Sequence, residues 1–185
     1  MNLMMLLEMA SSAFPERVAF TDSSSGTSLT YEQLFNAAGR RAASLRGSGA
    51  SRMAMLDVTS VATPLGLFAS AWAGLPYVPL NYRLTDPEIE ALLARVTPAY
   101  LVTDAERHAR LERLADVAAS ARHHFLDDAL HPEEHPGEWS MDPEEVAVLL
   151  FTSGTTGQPK AAYRSRLRFA LISTGSATAR TASRA

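Results

Sequence analysis

The chain has 185 residues, of which 46% are hydrophobic and 20% charged, and its formal net charge is −3. This composition is typical of a globular domain with its own core, and it excludes disorder, collagen and coiled coil as descriptions of the whole chain. The negative charge argues against a dedicated nucleic-acid binder, which normally presents a basic surface. The chain has no cysteine, so disulfides, thiolate metal sites and cysteine nucleophiles are excluded.

The N-terminal segment Leu3–Ala13 is apolar but contains Glu8 and lacks a basic leader. It is too short to span a bilayer and no small-residue cleavage site follows it, so we interpret it as an amphipathic helix rather than a signal peptide. The expected location of the protein is therefore the cytoplasm. Two short strands, Val18–Thr21 and Ser28–Thr30, are predicted on either side of a turn rich in Ser and Gly.

From Tyr31 onward, helices and strands are predicted to alternate. Thr30 and Gln33 have the spacing of a capping box at the start of the first of these helices. The predicted helices are Tyr31–Leu45, Ala62–Ala73, Asp86–Arg95 and Asp104–Ala121. The predicted strands are Met53–Val58, Pro76–Leu80, Ala99–Thr103, His123–Leu126 and Val146–Phe151. Strands separated by helices form βαβ units, so the fold class is α/β, with a mainly parallel sheet covered on both faces.

The segment after the last strand carries the most chemical information. Residues 152–160 read Thr-Ser-Gly-Thr-Thr-Gly-Gln-Pro-Lys. Gly154 and Gly157 allow the backbone to approach a ligand closely, and exposed N–H groups in such a turn bind anions. The hydroxyl groups and Lys160 add donors and a positive charge, which together suit a polyphosphate. On composition alone, a Ser/Thr/Gly surface turn remains an equal alternative.

The segment differs from a Walker A loop, which requires Gly-x-x-x-x-Gly-Lys followed by Ser or Thr. Gly154 and Gly157 are too close together, and Lys160 follows Pro159 rather than Gly. A P-loop kinase or NTPase is therefore disfavoured. Pro159 also opposes a helix directly after the loop, so the helix dipole of P-loop enzymes is not expected here.

The order of residues 149–160 closely resembles the signature phosphate loop of the adenylate-forming superfamily, which includes acyl-CoA synthetases, aryl-CoA ligases, luciferases and the adenylation domains of peptide synthetases. Three other segments resemble this family in the same order: Leu-Thr-Tyr-Glu-Gln-Leu at 29–34, Ala-Gly-Leu-Pro-Tyr-Val-Pro-Leu-Asn-Tyr-Arg-Leu at 73–84, and Leu-Val-Thr-Asp at 101–104. The resemblance covers about Leu6 to Ala162, and residues 79–84 are similar to the acyl- and aryl-CoA ligase form.

The resemblance implies an enzyme of the fatty-acid–CoA ligase type. Such an enzyme activates a carboxylic acid, here a fatty acid, with ATP to an acyl-adenylate, and then transfers the acyl group to coenzyme A. ATP, Mg²⁺ and coenzyme A are the implied cofactors. The family's ATP-phosphate contacts fall on Thr152, Ser153, Gly154, Thr155, Thr156, Gly157 and Lys160. Thr152 is also a candidate Mg²⁺ partner, and these groups would stabilise charge on the departing pyrophosphate.

The resemblance stops near Ala162, where the charge of the sequence also changes sign. Residues 1–162 contain 12 Lys and Arg against 20 Asp and Glu, whereas residues 163–185 contain five Arg and no acid. We therefore expect a partial AMP-binding domain at 1–162 and a basic, non-homologous tail at 163–185. We interpret the tail as a product of a shifted reading frame rather than a basic arm for nucleic acid or lipid.

The family's catalytic residues, acyl pocket and C-terminal lysine lid are expected beyond this chain, with a separate polypeptide as one source of them. Catalysis needs all reacting groups in one constellation, so the chain alone is predicted to have no ligase activity. We also expect it to fold poorly, with Val146–Phe151 at an unpaired apolar edge. The alternative hypothesis is a stand-alone phosphate-binding or interaction module without catalysis, which would be soluble and monomeric.

Other candidate sites are weaker. The histidines lie near several acids, but two prolines oppose a helix there, so we interpret the region as a solvated loop rather than a metal site formed by His123, His124, His131 and His135. The Gly47-Ser48-Gly49 segment follows a helix and lacks a third glycine, so it is predicted to end that helix rather than bind a dinucleotide. Ser153 is not in a Gly-x-Ser-x-Gly elbow, which disfavours a hydrolase nucleophile.

Overall fold

A computed structural model of the protein describes residues 3–111, 113, 117–130, 138–139, 146–152 and 160–165. The helices are α1 (Leu3–Ala13), α2 (Tyr31–Gly47), α3 (Ala62–Ala73), α4 (Asp86–Leu93), α5 (Ala105–Leu111) and α6 (Arg122–Leu130). The strands are β1 (Val18–Thr21), β2 (Ser28–Thr30), β3 (Arg52–Leu56), β4 (Tyr77–Pro79), β5 (Ala99–Thr103), β6 (Val117–Ala121), β7 (Val146–Thr152) and β8 (Lys160–Ser165).

Six of these strands form one sheet in the order β6-β5-β3-β4-β7-β8. The first five run parallel to one another, and β8 pairs antiparallel with β7. Strands β1 and β2 form a separate antiparallel hairpin. Because a helix connects each pair of successive parallel strands from β3 to β6, the βαβ pattern is confirmed and the fold class is α/β.

The sheet is covered on both faces, as predicted for a parallel sheet. Met53 and Met55 of β3 pack with the buried residues of α1, α2, α3 and α6 on one face. Ala54 and Leu56 pack on the other face, with α4 and the end of α5. Successive side chains of a strand point to opposite faces, so the apolar residues Met53–Leu56 of β3 supply both layers of the core.

The start of α2 is fixed by the capping box that the sequence predicts. The Thr30 hydroxyl accepts a hydrogen bond from the Gln33 backbone N–H at 3.2 Å, and the Gln33 side-chain oxygen accepts one from the Thr30 N–H at 2.9 Å. Two backbone donors that the first turn leaves unpaired are thereby satisfied. The helix ends at Gly47, and Gly49 then adopts a φ of +73° in the turn that leads to β3.

Replacing Thr30 with alanine is expected to lower the free energy of unfolding by about 1 kcal/mol, because a backbone N–H of α2 loses its acceptor. Urea unfolding followed by circular dichroism measures this loss. Ser44→Ala is the matched control, since Ser44 lies on the exposed side of the same helix and its replacement should change stability by less than about 0.5 kcal/mol. Equal effects of the two substitutions would contradict the role of the cap.

The region from Asp104 to Leu130 differs from the prediction of one long helix followed by a strand. Helix α5 ends at Leu111, Val117–Ala121 is the strand β6, and Arg122–Leu130 is the helix α6. Alanines in β6 favour a helix locally, but this segment pairs along the whole length of β5, and that tertiary pairing overrides the propensity. In α6, Phe125 and Ala129 are both fully buried, which fits the spacing of a helix face rather than the alternation of a strand.

Strand β7 is not at an edge of the sheet, contrary to the prediction for Val146–Phe151. It pairs with β4 on one side and with β8 on the other. Its central residues Ala147, Val148 and Leu149 are buried. Because β8 satisfies its outer hydrogen-bonding groups, the apolar sequence of β7 is not presented for pairing with other chains.

Candidate functional site

The two ends of the predicted phosphate loop face each other across a pair of strands. Thr152 is the last residue of β7, Lys160 is the first residue of β8, and the two are paired in the antiparallel register. Paired residues in such a ladder have Cα atoms roughly 5 Å apart. A strand rather than a helix follows Pro159, as its sequence predicts. The loop's remaining residues, Ser153 to Pro159, lie outside the described residues.

The loop follows the carboxyl end of β7, and the other parallel strands end at the same edge. In open α/β sheets, ligands bind at this edge because the loops that follow the strands converge there. Asp57 follows β3, Asp104 follows β5 and Arg122 follows β6. Since β3 and β7 are separated only by β4, the ends of these two strands lie about 10 Å apart across the sheet.

Asp57 and Arg122 form an ion pair that joins the ends of β3 and β6. The Arg122 guanidinium donates to both oxygens of the Asp57 carboxylate, at 3.0 and 3.1 Å, and the Val58 N–H donates to it at 2.8 Å. The Asp57 side chain is 2% exposed and that of Arg122 is 38% exposed. Burial raises the pKa of Asp57, while the Arg122 charge and the Val58 hydrogen bond lower it.

A second ion pair lies at the end of β5. The Asp104 carboxylate accepts a hydrogen bond from the Arg107 backbone N–H at 2.9 Å and lies 3.6 Å from the Arg107 guanidinium. Arg107 also donates to the backbone oxygen of Tyr82, in the loop after β4, at 2.8 Å. These polar contacts hold the loops after β4 and β5 together. They lie at the edge of the sheet where β7 also ends.

Asp57 is expected to make the protein less stable as pH rises. Because its pKa is raised in the folded state, its contribution to stability is complete below the unfolded pKa of about 4 and is lost as pH increases through the folded pKa. Asp57→Asn removes this titration and keeps a hydrogen-bond acceptor. Urea unfolding of both proteins from pH 4 to pH 7 should show the wild type losing stability relative to the variant, and a constant difference would contradict this assignment.

The ion pairs at this edge are not apparent from the sequence. Asp57 is the first polar residue after an apolar strand, which is the one signal that could have drawn attention to it. Its partner, Arg122, is 65 positions away in the sequence, so their contact depends on the strand order.

For the candidate metal site, His131 and His135 lie outside the described residues. In the described part of the chain, no three His, Asp or Glu side chains are grouped to hold a metal ion.

None of the helices described here is long and apolar enough to cross a membrane.

Comparison with known families identifies one that spans most of the chain. The family model described as AMP-binding enzyme matches residues 7–182. The matched region includes the phosphate loop and continues past Ala162, where the resemblance was expected to end. The boundary between a partial AMP-binding domain at 1–162 and a tail at 163–185 stays a prediction.

Curated relatives match most of this chain. Feruloyl-CoA synthase of Amycolatopsis sp is 36% identical over 144 residues, which are 74% of this chain and 28% of the relative. Surfactin synthase subunit 3 of Bacillus subtilis (strain 168) is 31% identical over 156 residues, which are 82% of this chain and 12% of the relative. The chain therefore spans less than a third of the length of these relatives.

Solved structures share the fold. A Mycobacterium tuberculosis fatty acyl CoA synthetase aligns with a TM-score of 0.73 and 21% identity, over 89% of this chain and 34% of that one. VinN in complex with 3-methylaspartate aligns with a TM-score of 0.83 and 23% identity, over 94% of this chain and 50% of that one. The predicted adenylate-forming fold is thus confirmed.

Proposed function

The chain belongs to the AMP-binding enzyme family, and from this we propose that it supplies the phosphate-binding part of an enzyme that activates a carboxylic acid with ATP. In this reaction the acid's carboxylate attacks the α-phosphorus of ATP, the bond to the bridging oxygen breaks, and pyrophosphate leaves as the acyl-adenylate forms. The acyl group then passes to the thiol of coenzyme A and AMP is released. The proposed activity is that of a fatty-acid–CoA ligase, a branch favoured by the form of residues 79–84.

The observation that carries this proposal is the position of residues 152–160. They follow the carboxyl end of a buried parallel strand, and their two ends are joined by the pairing of Thr152 with Lys160. We propose that the loop between these two ends binds an anion through its backbone N–H groups, as short turns rich in Gly and Ser can. The same segment lies within the region matched by the family model.

The residues of the loop that are predicted to bind phosphate each have a proposed role. Gly154 and Gly157 allow the close approach of the phosphates, and the hydroxyl groups of the loop donate to the phosphate oxygens. Lys160 opposes the negative charge that develops on pyrophosphate as it leaves. The hydroxyl oxygen of Thr152 is of the ligand type that Mg²⁺ prefers, and a bound Mg²⁺ would supply Lewis-acid stabilisation of the same charge. The donors are Thr152, Ser153, Thr155, Thr156 and Lys160.

We propose that the remaining catalytic groups come from further polypeptide, since the chain matches only 28% of the length of the feruloyl-CoA synthase. The relatives include a feruloyl-CoA synthase and a subunit of surfactin synthase. We favour the CoA ligase branch on the form of residues 79–84, Pro-Leu-Asn-Tyr-Arg-Leu. In the described structure these residues form the end of β4 and the turn after it, held by the hydrogen bond from Arg107 to Tyr82.

A chimeric enzyme tests this proposal. Residues 1–165, which end with β8, replace the corresponding part of the Amycolatopsis feruloyl-CoA synthase, and ATP–pyrophosphate exchange is measured with ferulate. We expect ferulate-dependent exchange, followed by thioester formation when coenzyme A is added. The 185-residue chain alone is expected to give no acid-dependent exchange, since it matches only 28% of the feruloyl-CoA synthase and catalysis needs all reacting groups in one constellation. A folded chimera without exchange that still binds Mg²⁺-pyrophosphate would instead support the stand-alone phosphate-binding module.

A further inference from the structure

The strand that leads into the phosphate loop extends past its neighbour β4. The two strands are paired through Tyr77 of β4 and Val148 of β7. Strand β4 ends at Pro79, whereas β7 continues to Thr152, so the last residues of β7 lie beyond the end of β4. On the other side these residues pair with β8. Among the described strands, the end of β7 is therefore flanked by β8 alone.

The side chain of Phe151 connects this end of β7 to the rest of the domain. Phe151 is half-buried and packs against the core cluster on the face of the sheet that α4 covers, the same cluster that contains Leu149. The guanidinium of Arg95, in the turn after α4, lies over the Phe151 ring at 5.1 Å from its centroid. This distance is within the range of cation–π attraction. The ring is therefore held by the apolar core and by a positive charge.

We propose that Arg95 is a positioning residue for the phosphate loop, because it holds the Phe151 ring beside the point where the loop begins. Thr152, the first residue of the loop, follows Phe151 directly, so displacement of Phe151 would also displace the loop. A loop whose ends are fixed before its ligand arrives loses less conformational freedom on binding, which strengthens affinity. Arg95 acts through Phe151 and does not itself contact the phosphates. This inference rests on the proposed function, since it takes residues 152–160 as the phosphate site.

Arg95→Leu in the chimeric ligase tests this role. We expect the KM for ATP to rise roughly twofold to fivefold, the effect of losing an exposed cation–π contact. The turnover number of ATP–pyrophosphate exchange should stay within about twofold, because positioning of the loop affects ground state and transition state alike. The affinity of the 185-residue chain for Mg²⁺-pyrophosphate, measured by isothermal titration calorimetry, should fall by the same factor as KM rises. Loss of folded protein alone would lower the apparent turnover number and leave KM unchanged.

Further variants isolate the contact between Arg95 and Phe151. Arg95→Lys keeps a cation and should restore most of the affinity. Phe151→Leu keeps an apolar side chain without the aromatic face, and adding Arg95→Leu to it should cause no additional loss. Arg110→Leu is the matched control, since Arg110 is an arginine of α5 that forms exposed ion pairs with Asp86 and Glu106. This control should change KM by less than about twofold.

The proposal is overturned if Arg95→Leu changes neither KM nor the affinity for pyrophosphate. It is also overturned if Arg95→Leu has its full effect in the Phe151→Leu background, because the charge would then act on the phosphates without the ring. In both cases exchange by the parent chimera still supports the proposed function. If the parent chimera gives no exchange, calorimetry on the 185-residue chain decides the role of Arg95. A parent without exchange and a chain that does not bind pyrophosphate would overturn both proposals.

Discussion

Lys160→Ala in the chimeric ligase is expected to lower ferulate-dependent ATP–pyrophosphate exchange by about a hundredfold or more. We propose that the positive charge of this lysine stabilises the negative charge on pyrophosphate, which is greatest as pyrophosphate departs. Removing one such donor typically lowers the turnover number by a factor of about 10² to 10³. Its position supports the assignment, since it begins β8 directly opposite the last residue of β7. The turnover number should fall more than the affinity for ATP, because the interaction is strongest in the transition state.

Arg164→Ala is the matched control for this prediction. Arg164 is a cation on the same strand, paired with Val148 and four residues beyond the loop. Its replacement should leave exchange within about twofold of the parent chimera, because a charge this far from the phosphates is largely screened by salt. Similar losses in both variants would show that general positive charge, rather than a defined loop contact, supports the reaction.

Trp72→Ala is expected to lower the free energy of unfolding by about 3–5 kcal/mol, the cost typical of deleting a buried aromatic side chain. Trp72 is 2% exposed and lies on α3 at the centre of the larger core. Its ring packs against Phe35 of α2, with ring centroids 4.8 Å apart. The substitution leaves a large cavity between two helices and removes this aromatic contact.

Urea unfolding monitored by far-UV circular dichroism measures this loss without relying on tryptophan fluorescence. Trp72→Phe should cost clearly less, since the benzene ring keeps much of the buried area and the contact with Phe35. The free energy of unfolding of an ordinary domain is only about 5–15 kcal/mol. The alanine variant should therefore unfold at a clearly lower temperature than the wild type. Equal stability of the two variants would show that the space around Trp72 collapses when the ring is removed.

Part of the candidate site can be identified from the sequence alone. The segment Thr152–Lys160 can be recognised because the donors and the glycines of a phosphate loop are contiguous in the chain. Their identification therefore needs no knowledge of the fold. Asp57 and Arg122 are different, since neither belongs to a motif and their ion pair forms only when β3 and β6 end at the same edge of the sheet.

The sequence by itself determined the features that depend on neighbouring residues. These include the capping box at Thr30, the helix Ala62–Ala73, the strand Ala99–Thr103 and the α/β alternation, all of which the structure contains. Local hydrogen bonds and hydrophobic periodicity act over a few residues and can be read directly.

Only the tertiary structure decided the features that depend on distant partners. The alanine-rich segment Val117–Ala121 is a strand because β5 offers it a row of hydrogen bonds, although its composition favours a helix. Arg122–Leu130 is a helix because its Phe125 and Ala129 are buried on the face opposite solvent. Strand β7 is an interior strand because β8 returns antiparallel beside it. For Val117–Leu130 the energy of long-range pairing and burial exceeds the small local preference of the sequence, whereas for β7 it decides only which strands lie beside it.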